Sequence, residues 1–324
     1  MPAAASQRPG RGPGGGPERE LAPLPPAPEL RPRPGRELAL RLPSPVQELA
    51  DDRLLARGIR LLLKRDDLIH PDLPGNKWRK LGPNLAAARA AGYGGLLTFG
   101  GAYSGHLRAV AAAGYYYGFA TVGVVRGEEP LPLNEVLAAA RGFGMQLTYL
   151  DRAAYRLKTG DRVLSRLRAQ FGDCYVLPEG GSNALAVGGC AGLPGEISEP
   201  FDVICCAVGT GGTLAGIATG LAAGQQAAGF AVLKGGGFLA AEVARLQQAA
   251  VGTAAANWLV ETEFHHGGYA RRTPALTNFI DDFEERHGLR LNWVYEAKML
   301  HGLFSLAAAG RYPPGTTVVA VLAG

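Results

Sequence analysis

From residue 42 onward the chain alternates short β-like runs with alanine-rich helical stretches, and the two kinds of segment meet at glycine-rich junctions. This alternation is the strongest constraint on the fold. Strands separated by helices pair in parallel through crossovers, which puts helices on the sheet faces and binding sites at the carboxyl ends of the strands. The pattern predicts strands at Leu61–Lys64, Leu96–Phe99, Thr121–Val125, Met145–Leu150, Tyr175–Leu177, Asp202–Val208, Phe230–Leu233, Trp258–Thr262 and Thr316–Leu322. Helices are expected at Lys77–Ala91, Leu107–Tyr117, Asn134–Phe143, Val163–Gln170, Thr213–Ala222, Phe238–Ala249, Ala275–His287 and Val294–Leu306. The class is therefore α/β, with parallel layers.

At 324 residues and 47% apolar, the chain can bury a sizeable core and is long enough for two lobes. A net charge of +5 invites a nucleic-acid reading, but residues 1–41 hold seven Arg and four Glu, leaving a surplus of two for the rest. The body shows no dense basic stripe with interleaved aromatics, so nucleic acid is rejected as the main partner. No apolar run approaches membrane-spanning length, and no membrane association is expected. Residues 1–41 are rich in Pro, Gly, Ala and Arg without an apolar period, which predicts a disordered tail. Its arginines also suit a transit peptide, against which its glutamates and prolines argue; an upstream start-codon error is equally consistent. Cys174, Cys190, Cys205 and Cys206 have no metal-ligand spacing, and the adjacent pair in Val203–Val208 reads as small buried side chains on opposite faces. A reducing, cytoplasmic location is expected. His265-His266 has no third ligand nearby, so no metal is expected.

One stretch carries unusual chemistry. Pro74-Gly75 breaks the chain, Asn76 reads as an N-cap, and Lys77-Trp78-Arg79-Lys80 opens a helix. A cation in the first helical turn is disfavoured by the helix dipole, and Lys80, three residues on, adds like-charge repulsion. Both effects favour a neutral amine, which is a nucleophile able to form a Schiff base. Gly209-Thr210-Gly211-Gly212-Thr213 lies between a buried-type strand and a helix, where free amides, two hydroxyls and the dipole suit an anion. It lacks both the third glycine and later acidic residue of a dinucleotide loop and the Gly-Lys-Ser/Thr of a Walker loop, so it suits a single phosphate group. Gly100 to His106 forms a second such junction; Ser104 falls near a helix N-cap, where it could grip a carboxylate, and His106 reads as a satisfied surface histidine. Tyr269 follows Gly267-Gly268, Tyr295 could stack on a planar ring, and Glu296 could pair with a ring nitrogen. A nucleophilic lysine, one phosphate cradle, an aromatic stacker and a carboxylate for a ring nitrogen together match the needs of pyridoxal 5′-phosphate.

From about Pro43 onward the chain resembles the 1-aminocyclopropane-1-carboxylate (ACC) deaminase / D-cysteine desulfhydrase family. The resemblance rests on Lys64–Leu68, Gly75–Leu81, Thr98–Ser104, Pro178–Ser182, Gly209–Thr213 and Gly267–Tyr269, in family order. It implies the tryptophan-synthase-β-like fold, type II of the pyridoxal phosphate enzymes: two lobes of open, twisted, mostly parallel sheets with flanking helices. Residues 42–83 and 179–324 would form the large lobe and 84–178 the small one, usually in a homodimer. It further implies that Lys77 is the Schiff-base lysine, Lys80 a phosphate neighbour and Gly209, Thr210, Gly211, Gly212 and Thr213 the phosphate cup. Ser104 would be the substrate-side hydroxyl, Tyr295 the ring stacker, Tyr269 a second phenol and Glu296 the pyridine-nitrogen partner. The implied substrate is a small amino acid: D-cysteine, giving pyruvate, sulfide and ammonia, or ACC, giving 2-oxobutanoate and ammonia. Ser104-x-His106 and Trp78 look desulfhydrase-like, whereas Glu296 and Leu322 look deaminase-like; the former reading is preferred. The chain departs from the family twice. Gly105 replaces an asparagine that donates to the cofactor's phenolic oxygen, and the sequence stops at Leu322-Ala323-Gly324 where the family continues through a Gly-Gly loop. A pyridoxal phosphate-binding protein with little turnover is the alternative that these departures suggest.

Overall fold

A computed structural model describes residues 38–324. Its strands are β1 (Val46–Leu49), β2 (Arg60–Arg65), β3 (Gly95–Gly101), β4 (Ala120–Arg126), β5 (Gln146–Leu150), β6 (Tyr175–Leu177), β7 (Val203–Val208), β8 (Gln226–Ala231), β9 (Trp258–Glu261) and β10 (Thr317–Leu322). They form a six-stranded sheet in the order β1-β2-β10-β7-β8-β9 and a four-stranded sheet in the order β5-β4-β3-β6. Only β1 pairs antiparallel, at the edge beside β2; the pairs around β10, β7 and β8 and all pairs of the smaller sheet are parallel.

The strand sequences account for the layering. Leu61-Leu62-Leu63 and Val318-Val319-Ala320-Val321 are continuous apolar runs, as expected of parallel strands covered on both faces. Because side chains alternate, Leu61, Leu63, Val318, Ala320 and Cys205 pack on one face with Phe283, Leu300 and Leu303. Leu62, Val319, Val321 and Cys206 pack on the other with Leu214, Ile217 and Val243. The smaller sheet divides in the same way, Leu96 and Val125 facing Leu107 and Val110, and Leu97, Phe99, Val122 and Val124 facing Tyr155 and Leu167. All four cysteines are free and buried.

Several elements differ from the sequence expectation. β8 begins at Gln226 rather than Phe230 because its place between β7 and β9 imposes the strand on Gln226-Ala227-Ala228-Gly229, which lacks β-branched residues. The helix Ala184–Ala191 was not expected, since its Gly188-Gly189 pair costs about 1 kcal/mol per glycine in propensity; packing against the Gly75–Ala90 helix overrides that cost. The disordered tail expected for residues 1–41 lies outside the described residues as far as 37. Residues 38–41 join the folded body: Leu38 packs on the core beside β3, and the Arg41 N–H donates to the Ile69 carbonyl at 3.0 Å. Among the described residues no helix is long and apolar enough to cross a membrane, and no three His, Cys, Asp or Glu side chains cluster as metal ligands.

A buried ion network fixes the helix Gly75–Ala90 against the larger sheet. The Arg79 guanidinium donates to both oxygens of Asp66 at 2.6 and 2.7 Å and to both of Glu196 at 2.7 and 2.8 Å. Lys64 donates to the same Glu196 at 2.8 Å and to the Ser44 carbonyl at 2.6 Å. Burial alone would raise the Glu196 carboxyl, but Arg79 and Lys64 outweigh it and hold it at about 2.

Candidate active site

The helix that carries Lys77 starts at Gly75, two residues earlier than expected. Gly75 adopts φ 50°, and a Cβ there would lie 2.3 Å from the Ala323 carbonyl oxygen, so only glycine fits between the helix start and the end of β10. Pro74 is the residue before the first turn. Asn76 therefore lies inside that turn and is not the N-cap; its Nδ2 donates across to Thr213 Oγ1 at 3.1 Å. The Lys77 ammonium is buried 5.6 Å from the centroid of the Tyr295 ring and donates to the Gly324 carbonyl at 3.4 Å. Burial, and second the nearby Lys80 charge, lower it to about 8. Burial thus exceeds the like-charge repulsion expected from sequence. Lys80 is also buried and lowered by desolvation, and its Nζ donates to the Gly180 carbonyl.

The turn after β7 meets the same space. Gly211, at φ 82°, precedes the helix Gly212–Thr219 and supplies no side-chain cap, so the first-turn amides have no partner within the helix. Thr210 Oγ1 and Ser182 Oγ share a hydrogen bond at 2.7 Å, tying this turn to the Pro178–Ser182 loop. The buried Oδ1 of Asn76 has no hydrogen-bond partner beside Thr213.

On the smaller sheet, Ser104 stands at the N-cap of Gly105–Tyr117, but its hydroxyl makes no cap hydrogen bond. His106 is not the surface histidine expected. It is buried, its Nε2 shares a hydrogen bond with Thr98 Oγ1 at 2.9 Å, and its Nδ1 has no partner. Burial, and then the charges of Lys80 and Lys77, lower it to about 3, so the imidazole is neutral. The turn from β3 into its helix points position 106 inward toward Thr98, a register that the local sequence does not reveal.

Tyr295 donates its hydroxyl hydrogen bond to the Tyr269 hydroxyl at 3.2 Å, which donates to the Tyr103 carbonyl at 3.3 Å. Burial, and then Tyr269, raise the Tyr295 phenol well above its ordinary value. The Tyr269 turn is anchored by Lys298, a fully buried lysine whose Nζ donates to the Gly268 carbonyl at 2.7 Å. Glu296 is buried and accepts the N–H of Asn292 at 3.1 Å and that of Gly324. Burial raises its carboxyl, and those amides oppose the shift.

Lys77, Lys80, Ser104, Gly209 to Thr213, Tyr269, Tyr295 and Glu296 all line one cavity of about 600 Å³. His106, Asn76, Ser182 and Arg126 line it as well, and sequence reasoning had not selected them for the site. These residues fit pyridoxal phosphate. A desolvated amine faces an aromatic ring, an uncapped helix start offers free amide donors to an anion, and the orphaned Asn76 amide oxygen is an acceptor open to a donor group.

The family of pyridoxal-phosphate dependent enzymes matches residues 41–324. A Pyrococcus furiosus protein, provisionally named 1-aminocyclopropane-1-carboxylate deaminase, is 30% identical over 282 residues, covering 83% of this chain and 85% of that one. The bifunctional D-cysteine desulfhydrase/1-aminocyclopropane-1-carboxylate deaminase of Arabidopsis thaliana is 30% identical over 303 residues, covering 86% of this chain and 75% of the relative. The crystal structure of an ACC deaminase homologue superposes with a TM-score of 0.78 at 26% identity, over 90% of this chain and 91% of that one. The chain belongs to the pyridoxal-phosphate dependent enzymes, and within them to the ACC deaminase / D-cysteine desulfhydrase family.

Proposed function

We propose that the chain is a lyase that converts D-cysteine and water to pyruvate, hydrogen sulfide and ammonia. The observation that carries this reading is the Lys77 amine, buried at the cavity wall and lowered to about 8. When bound, pyridoxal phosphate supplies an electron sink for the substrate's α-carbon. Lys77 holds the cofactor and, once released, takes the α-proton, a task suited to an amine near neutrality. The amides of Gly212 and Thr213, with Thr210, receive the phosphate; Lys80 has two N–H donors left beyond its bond to Gly180. Ser104, whose hydroxyl is not spent on capping, takes the substrate carboxylate. Tyr295 would hold the cofactor ring and Glu296 would be the carboxylate available to its nitrogen.

ACC deamination is the second reading, and the Tyr269–Tyr295 phenol pair favours it. The α-carbon of ACC carries no proton to lose, so opening the ring needs an acid or nucleophile at a ring methylene, and two hydrogen-bonded phenols beside Lys77 offer one. Two measurements test these readings. Borohydride reduction of the cofactor-loaded protein followed by peptide mapping should place the pyridoxyl group on Lys77; an unmodified Lys77 peptide overturns the site. Sulfide with pyruvate from D-cysteine supports the first activity, and 2-oxobutanoate from ACC alone replaces it with the second.

A further inference from the structure

The more exposed part of the cavity wall carries Arg126, Lys158 and Arg245 as cations and Glu179 and Glu242 as anions. Both carboxylates are already engaged: Glu179 pairs with Lys158 at 3.1 Å, and Glu242 with Arg245 at 2.7 Å. Arg126 is left over. Among the described residues no carboxylate pairs with it, and its guanidinium instead lies over the Tyr155 ring, 5.8 Å from the centroid.

The placement of Arg126 follows from strand register. It ends β4 opposite Gly101, the last residue of β3. Paired residues of parallel strands share a face, so Arg126 lies beside the start of the turn that leads to Ser104. The guanidinium lies against Gly101: a Cβ built there would be 3.5 Å from Arg126 Nη2, an ordinary van der Waals contact. The other end of the same turn meets the reactive amine: a Cβ at Gly105 would lie 3.7 Å from Lys77 Cε. One short turn therefore has the amine at one end and an uncompensated guanidinium at the other, with the Ser104 hydroxyl between them.

We propose that Arg126 selects amino acids whose β-substituent is an anion, such as a carboxylate or sulfonate, or leaves as one, as a thiolate does. This deepens the reading of the cavity as an amino-acid lyase site and rests on it. A planar guanidinium held against an aromatic ring recognises carboxylate and sulfonate oxygens in two-point fashion, and the acid beside that ring, Glu179, is paired with Lys158.

The test is isothermal titration of the pyridoxal phosphate-loaded protein with aspartate and with its neutral isostere asparagine, each as D and L forms. The expected result is that aspartate of one hand binds about tenfold or more tightly than asparagine of the same hand. The ratio should fall to near one in Arg126→Gln and recover in part in Arg126→Lys. Equal affinities in the wild-type protein overturn the proposal, as does a ratio unchanged in Arg126→Gln; an equal fall in both affinities would mean that the guanidinium serves the α-carboxylate common to both ligands. If neither ligand binds while D-cysteine still yields pyruvate, this inference falls and the lyase reading stands. If D-cysteine also fails to bind, both fall together.

Discussion

Replacing Gly105 with asparagine supplies the side chain that the family resemblance leads one to expect at this position. Position 105 opens the helix Gly105–Tyr117, and its φ is not among those in the left-handed region, so the backbone accepts a side chain. A Cβ built there meets only Lys77 Cε, at 3.7 Å, an ordinary van der Waals contact. The side chain would therefore start toward the reactive amine, its Cβ meeting no clash. A hydrogen bond from that amide to a charged cofactor oxygen is worth roughly 1.5–3 kcal/mol, which corresponds to a cofactor dissociation constant lower by about tenfold to a hundredfold. Helix propensity adds a few tenths of a kcal/mol to folding stability rather than to cofactor affinity, because asparagine costs less than glycine inside a helix. Gly105→Ala supplies the Cβ without the amide and separates the two effects; its dissociation constant should stay within about twofold of wild type. The assay is fluorescence or absorbance titration of the cofactor-free protein with pyridoxal phosphate. A Gly105→Asn constant within about twofold of wild type would show that position 105 does not reach the cofactor, and would refute the account given for it.

Two further outcomes follow from buried charges. In cofactor-free protein, Lys77→Met should be more stable than wild type at pH 7, because the folded wild type holds a cation whose value is lowered to about 8 from an unfolded 10.5. Between those values the unfolded chain binds more protons, so wild-type stability rises with pH and the advantage of Lys77→Met shrinks, by about 3 kcal/mol in all; thermal melts from pH 7 to 10.5 with a constant gap would contradict this. Arg79→Met strands the buried Asp66 carboxylate and should cost about 3–5 kcal/mol, read as a lower urea midpoint. Glu196, held at about 2 in the folded protein against 4.5, stabilises above pH 4.5 and loses that contribution as pH falls toward 2. Arg79→Met should weaken this acid-sensitive part, and an identical acid profile in both proteins would exclude the network as its source.

The parts of the fold that were legible in sequence are those where local chemistry and tertiary context agree. Leu61–Leu63 and Val318–Val321 are apolar without interruption, and the larger sheet buries them on both faces. The Gly209–Thr213 turn was visible because its glycines sit where a strand must hand over to a helix. Lys77 stood out as a cation in the wrong turn of a helix, although most of its shift comes from burial, which only the assembled cavity creates. What stayed hidden depends on register or on distant segments. The Asn76 cap failed because the approach of Ala323 forces Gly75 into a left-handed turn. Arg126 gains its place from pairing opposite Gly101, and His106 from facing Thr98 across β3. Lys298 reads as one more charged helix residue until the Gly267–Tyr269 turn folds over it.

The four hydrogen bonds that Arg79 gives to Asp66 and Glu196 have a consequence for aim as well as for stability. An apolar contact at that position would hold the helix nearly as well, but it would tolerate the helix rolling about its own axis. Successive residues are set about 100° apart around such an axis, so a modest roll would carry the amine two positions upstream off its target. A forked cation clamped between two acids on separate segments admits one angular setting. The guanidinium is the key that keeps the barrel from turning, and the nucleophile keeps its bearing because of a residue that never touches substrate.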